Sequence, residues 1–154
     1  MTLQSISGYL VQNRMFQGLP ARHIGLLAEL AAEVTFDAGQ YLYREREEAN
    51  EFHVILEGRV SLELPCPNHR PLAVQTVEAG EVVGWSWLFA PYQRRFDVCA
   101  VVPTRAIVFD AKRLRSACES DHALGYALLK ILSAVLVDRL RATQLQLLDL
   151  YNAS

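Results

Sequence analysis

The chain has 154 residues, 51% hydrophobic and 21% charged, a composition that fits one folded domain and excludes a disordered segment. A domain of this length buries about two-thirds of its unfolded surface, so neither disulfides nor a structural metal is required for folding. Fifteen basic against seventeen acidic residues leave a net charge of −2, which excludes a broad basic surface for nucleic acid.

The first part, residues 1–33, reads as helical. Met1 to Phe16 lacks the basic start and apolar run of a secretory signal. Leu19-Pro20 opens a segment with Ile24, Leu27, Leu30 and Ala31 on one face. Proline suits a first turn, and a short helix is predicted from Pro20 to about Ala32.

Residues 34–110 read as short strands punctuated by turns. Phe52 to Leu56, Glu57-Gly58 and Arg59 to Leu64 read as a hairpin, with Gly58 supplying a positive φ. Val74 to Val77 and Glu81 to Val83 flank Ala79-Gly80, and Val98 to Val102 and Ala106 to Phe109 flank Pro103-Thr104. Turns at intervals of about ten residues predict a sandwich or barrel.

Residues 111–151 are helical again. A short helix covers Ala111 to Cys118, and Asp121 is placed to cap a long one running to about Leu150. Two apolar stripes run along the long helix. Leu124, Leu128, Ile131 and Val135 form one, suited to packing on the barrel. Tyr126, Leu129, Ser133, Leu136, Leu140, Thr143, Leu147 and Leu150 form the other, largely at alternating spacings of three and four. That repeat is a coiled-coil seam and predicts a homodimer.

Cys66, Cys99 and Cys118 form no CxxC motif and read as reduced thiols. The longest apolar stretch, Ala123 to Val137, is broken by Lys130 and too short for a membrane span. A cytoplasmic protein is expected, with no membrane partner. From Glu29 to Glu63 there are nine acidic and three basic residues, and from Arg94 to Arg115 six basic residues against Asp97 and Asp110. The Arg44–Glu48 run reads as solvated surface. The second cluster offers forked donors to an anion, because Arg94 and Arg95 stand in tandem.

Phe16-Gln17-Gly18-Leu19, the stretch Phe52 to Val60, Gly80-Glu81-Val82-Val83-Gly84 and Arg139-Leu140-Arg141-Ala142-Thr143 together carry a resemblance that covers nearly the whole chain. The sequence resembles the cyclic-nucleotide-binding domain of the catabolite-activator (Crp/Fnr-type) regulators, regulatory kinase subunits and gated channels. The resemblance implies a mainly β fold with flanking helices, a double-stranded β-helix (jelly-roll) barrel ending in a long C-terminal dimerisation helix.

The ligand cassette of that family is a glycine–acid pair opening a short helix, then a loop ending in arginine and a small hydroxyl or alanine residue. Its counterpart here is Gly84 to Asp97, in which the acid is replaced by Trp85. The phosphate arginine is Arg94 or Arg95, so the small position is taken by Arg95 or Phe96. The ligand residues implied are Gly84, Trp85, Ser86, Arg94, Arg95 and Thr143, the last matching a position that touches the purine. An indole donates a hydrogen bond but accepts none, so Trp85 does not replace the carboxylate on the ribose hydroxyl. Trp85 and Trp87 also read as barrel core.

The regulators of the family continue into a helix-turn-helix domain that has no counterpart before Ser154, so no specific DNA binding is expected of this chain. A cupin-type metal enzyme needs an HxH pair, and His53 stands alone on its strand. Cys66 and His69 form a single CxxH around Pro67. With no catalytic motif either, the expectation is a non-enzymatic ligand-sensing regulatory module with no cofactor and weak affinity for cyclic nucleotides. The alternative is a degenerate sensor acting through another small anion or a protein partner.

Overall fold

A computed structural model describes residues 1–153. Helices α1 (Leu3–Gln12) and α2 (Ala21–Glu29) precede eight strands: β1 Ala31–Phe36, β2 Tyr41–Tyr43, β3 Glu51–Glu57, β4 Arg59–Leu64, β5 Leu72–Glu78, β6 Val82–Val83, β7 Asp97–Ala100 and β8 Thr104–Asp110. Helices α3 (Ala111–Ser120) and α4 (His122–Ala153) follow. The strands form two four-stranded antiparallel sheets, β1-β8-β3-β6 and β2-β7-β4-β5. They make the mainly β jelly-roll expected from the sequence, with the sheets stacked and not closed into a continuous barrel.

Helix α1 lies in the part read as helical, ahead of the one helix whose bounds the sequence delimits. The Thr2 hydroxyl accepts from the Ser5 amide at 3.1 Å, and Ile6 and Leu10, one turn apart, are buried. Helix α2 stops at Glu29, short of the predicted Ala32, because Ala31 and Ala32 pair with Phe109 and Val108 as the start of β1. A sheet partner outweighs the helix preference of two alanines.

The predicted hairpin across Gly58 is two strands that part company. β3 pairs with β8 and β6, whereas β4 pairs with β5 and β7. Gly58, at φ +90°, carries the chain from one sheet to the other. Burial explains the split: Phe52 and Val54 join a core under the helices, while Ile55, its neighbour on the opposite face, joins the core between the sheets. A Cβ on residue 58 would stand 2.6 Å from Thr104 Oγ1 and 2.7 Å from the Pro103 carbonyl oxygen. Gly58→Ala is therefore expected to lower stability by about 2–3 kcal/mol, combining left-handed strain with the clash. Urea denaturation checks this, and an unchanged midpoint would count against the role of the turn.

The helix-side core is organised by a run of stacked rings, Phe16–Phe109–Phe52–Trp87, with centroids 6.4, 4.5 and 5.4 Å apart. Trp87 is core, as one reading of the sequence had it, while Trp85 is only half-buried. Asp110 and Asp121 cap α3 and α4, accepting from the amides of Arg113 and Leu124 at 3.1 and 3.2 Å. Helix α4 packs through Leu124, Leu128, Leu132 and Val135. Leu132 takes the place expected of Ile131, which is half-buried beside it. Beyond Val135 the helix runs on alongside β5, and Val137, Leu140, Leu147 and Leu150 are exposed.

Candidate ligand site

Between β6 and β7 the chain crosses from one sheet to the other through a short 3-10 turn, Trp85–Leu88, and the loop Phe89–Phe96. The loop is tied at both sides of its end. The Arg94 amide donates to the Glu47 carbonyl at 2.8 Å, and the Arg46 amide donates to the Arg94 carbonyl at 2.9 Å. Asp97, buried at the start of β7, accepts from the Glu45 amide at 2.7 Å and lies 3.4 Å from Arg44 Nε. These bonds turn Arg94 inward and leave Arg95 exposed.

The Arg94 side chain lies over the Tyr43 ring, 3.8 Å from its centroid, and its Nη2 donates to the Glu51 carbonyl at 2.5 Å. Residue 94 is 4% exposed, and its Nε and Nη1 have no hydrogen-bond partner. Burial lowers the pKa of this guanidinium, and no carboxylate of the described residues pairs with it within 4 Å. Gly84 explains how it fits. At φ +98° a Cβ there would stand 2.9 Å from Arg94 Nη1, so the missing side chain makes room for the cation.

His53 lies in the same interior, its ring 5.8 Å from that of Phe36. Burial, then the charge of Arg94, hold its pKa down to about 3. The unfolded chain binds this proton near the ordinary value of about 6.5, and the folded chain refuses it until about pH 3. The stability contribution is thus complete above pH 6.5 and is lost as pH falls through that window. Denaturation is expected to show about 1.4 kcal/mol lost between pH 7.5 and 5.5 that His53→Leu does not lose. Matching pH profiles for the two proteins would contradict this.

Trp85 lines a separate cavity of about 180 Å³ between the β4–β5 sheet and α4, with Phe96, Arg139 and Thr143 also in its walls. Thr143 Oγ1 donates to the Arg139 carbonyl at 2.9 Å and accepts from Gln75 Nε2 at 3.1 Å. Gln75 Nε2 also donates to the Arg139 carbonyl at 2.8 Å, and Gln146 Nε2 to the Val74 carbonyl at 2.6 Å, so α4 is fastened to β5. The Arg139 side chain donates through Nη2 to the Val82 carbonyl, and its Nη1 is buried without a partner. Burial lowers its pKa.

The residues expected from the sequence therefore fall into groups. Gly84 and Arg94 are in contact, Trp85 and Thr143 share a cavity, Ser86 is buried and Arg95 faces solvent. Arg139 was not among the candidate ligand residues. Its position four residues before Thr143, on the same helix face, is the signal that identifies it. Two members of the basic cluster are engaged within the fold. Arg105 pairs with Glu33 and Glu57 at 2.7 and 3.2 Å, and Arg115 stacks on Tyr92, 3.9 Å from its centroid.

Among the described residues no helix is long and apolar enough to cross a membrane. Residues 33–121 match the profile of the family described as cyclic nucleotide-binding domain. The chain is 26% identical over 136 residues to the CRP-like cAMP-activated global transcriptional regulator of Mycobacterium tuberculosis, covering 88% of this chain and 59% of that protein. It thus spans less than two-thirds of that relative. Among solved structures, a Geobacter metallireducens protein described as a candidate cyclic nucleotide-binding protein superposes with a TM-score of 0.78 at 25% identity, covering 91% of this chain and 98% of that one. A cyclic nucleotide-binding domain of Methylobacillus flagellatus gives 0.77 at 20% identity, covering 96% and 83%.

Proposed function

Because the chain belongs to the cyclic nucleotide-binding domain family, we propose that it is a non-enzymatic, cytoplasmic ligand-sensing module that recognises a small anion through the Gly84–Asp97 cassette and α4. The observation that carries this reading is Arg94. A guanidinium with 4% exposure, two nitrogens without partners and no carboxylate in contact is a cation built to receive an anion. Gly84, Ser86 and Thr143 complete the site on this reading, with Trp85 as its divergent member, while exposed Arg95 contributes charge at the loop.

Cyclic nucleotides are weak ligands here, because Trp85 supplies no acceptor for a ribose hydroxyl. A second reading, a degenerate sensor for another small anion or for a protein partner, is favoured by Trp85 and Phe96 standing in the cavity wall. A calorimetric screen against cyclic mono- and dinucleotides tests the proposal. Saturable binding at roughly tens to hundreds of micromolar that Arg94→Ala abolishes supports it. Submicromolar binding, or binding indifferent to Arg94→Ala, overturns the assigned site.

A further inference from the structure

Between the α1–α2 connection, β6 and α4 lies a cleft of about 450 Å³, a size suited to a small molecule. Gly84, Trp85, Arg94 and Thr143 are absent from its walls, so it is separate from the cassette. Met15, Val82, Ile131 and Val135 give it an apolar lining. Four charged residues also line it, Arg14, Glu81, Lys130 and Asp138, and all four are exposed.

Helical spacing orders these charges. Lys130 and Asp138 lie on one row of α4, two steps of four residues apart, with Ala134 between them. At 1.5 Å per residue their backbones stand about 12 Å apart. The Arg139 bond to the Val82 carbonyl ties the turn carrying Asp138 to the strand that Glu81 precedes. Arg14 adds a second cation from the α1–α2 connection, where the Nδ2 of its neighbour Asn13 donates to the Gly80 carbonyl at 3.0 Å. Among the described residues Arg14, Lys130 and Asp138 form no ion pair within 4 Å. Lys130 Nζ instead lies 5.2 Å from the Tyr126 ring centroid. Glu81 Oε1 accepts from the Glu78 amide at 3.0 Å. Opposite charges that line one cleft without pairing are complementary to a ligand that carries both signs.

We infer that this cleft is a second ligand site and takes a short apolar peptide with free termini. Its carboxylate meets Lys130 and Arg14, its ammonium meets Asp138 and Glu81, and its side chains lie on the apolar lining. Length selects a dipeptide. Two extended residues span about 7 Å, and the flexible Lys130 side chain closes the rest. A single amino acid carries both charges on one carbon and does not reach both ends. The site goes beyond the reading of the cassette and does not rest on it.

Calorimetry of the full chain with leucyl-leucine, its N-acetyl form, its C-terminal amide and free leucine provides the test. Leucyl-leucine is expected to bind saturably, and each of the other three about tenfold or more weakly. The pair Arg14→Gln and Lys130→Gln is expected to erase the preference over the amide. The pair Glu81→Gln and Asp138→Asn is expected to erase the preference over the N-acetyl form. All four positions are exposed, and thermal denaturation checks that the variants fold. Should either pair fail to fold, the blocked peptides on the wild type still decide. Equal affinity for free and blocked peptides overturns the inference, and so do preferences that survive in the variants. Leucine binding as tightly as the dipeptide overturns it, as does no dipeptide binding up to about 1 mM. Dipeptide binding that Arg94→Ala abolishes moves the ligand to the cassette, which overturns the second site and leaves the sensor reading intact.

Discussion

Sedimentation of the wild-type chain at micromolar concentration is expected to give a homodimer, and Leu147→Asp a monomer. The seam spaced by threes and fours presents Leu129, Leu140, Leu147 and Leu150 at 42%, 59%, 67% and 72% exposure. An exposed apolar stripe of this spacing favours a second copy of the helix as its cover. Leu136 belongs to the same stripe, but it is half-buried in the wall of the α4 cavity. A charge at Leu136 would disturb the barrel along with the seam. Leu147 lies outside that wall, so Leu147→Asp reports on association alone. An unpaired buried carboxylate costs several kcal/mol, and two symmetry-related copies weaken a dimer at least a hundredfold. A monomeric wild type refutes the seam. Ser133 and Thr143 are its weak layers, and Ser133→Leu is expected to tighten it.

Trp85→Glu is expected to raise affinity for cyclic AMP by about tenfold to a hundredfold. The change restores a hydrogen-bond acceptor and removes an indole from the wall of the cavity. Leaving a buried hydroxyl unpaired costs about 1–3 kcal/mol, and each 1.4 kcal/mol is tenfold in binding. Arg94→Ala is expected to abolish what the wild type binds, because the Arg94 guanidinium is the cation packed against Gly84. Calorimetry measures both, with thermal denaturation as a control because Arg94 also holds the Glu51 carbonyl. No gain in Trp85→Glu would assign the obstruction to Phe96, the other aromatic wall, and favour the degenerate-sensor reading.

The sequence by itself determined the order of parts, the positions of the turns and the family. Local effects carry that information: the strand period around Gly58, the capping aspartate before α4, and the spacing of leucines along it. It also exposed the departure at Trp85, since an indole lacks an acceptor wherever it lies. Tertiary structure alone decided which strands pair. A turn residue such as Gly58 states that the chain bends, but long-range burial on each strand face selects the sheet that the next strand joins. Tertiary structure alone also turned Arg94 inward and Arg95 outward, through backbone bonds to Arg46 and Glu47 nearly fifty residues earlier in the chain. The same holds for Arg139, whose burial against the Val82 carbonyl is a contact between distant segments. Burial and partner count arise from packing, so neither can be read from a residue's place in the sequence.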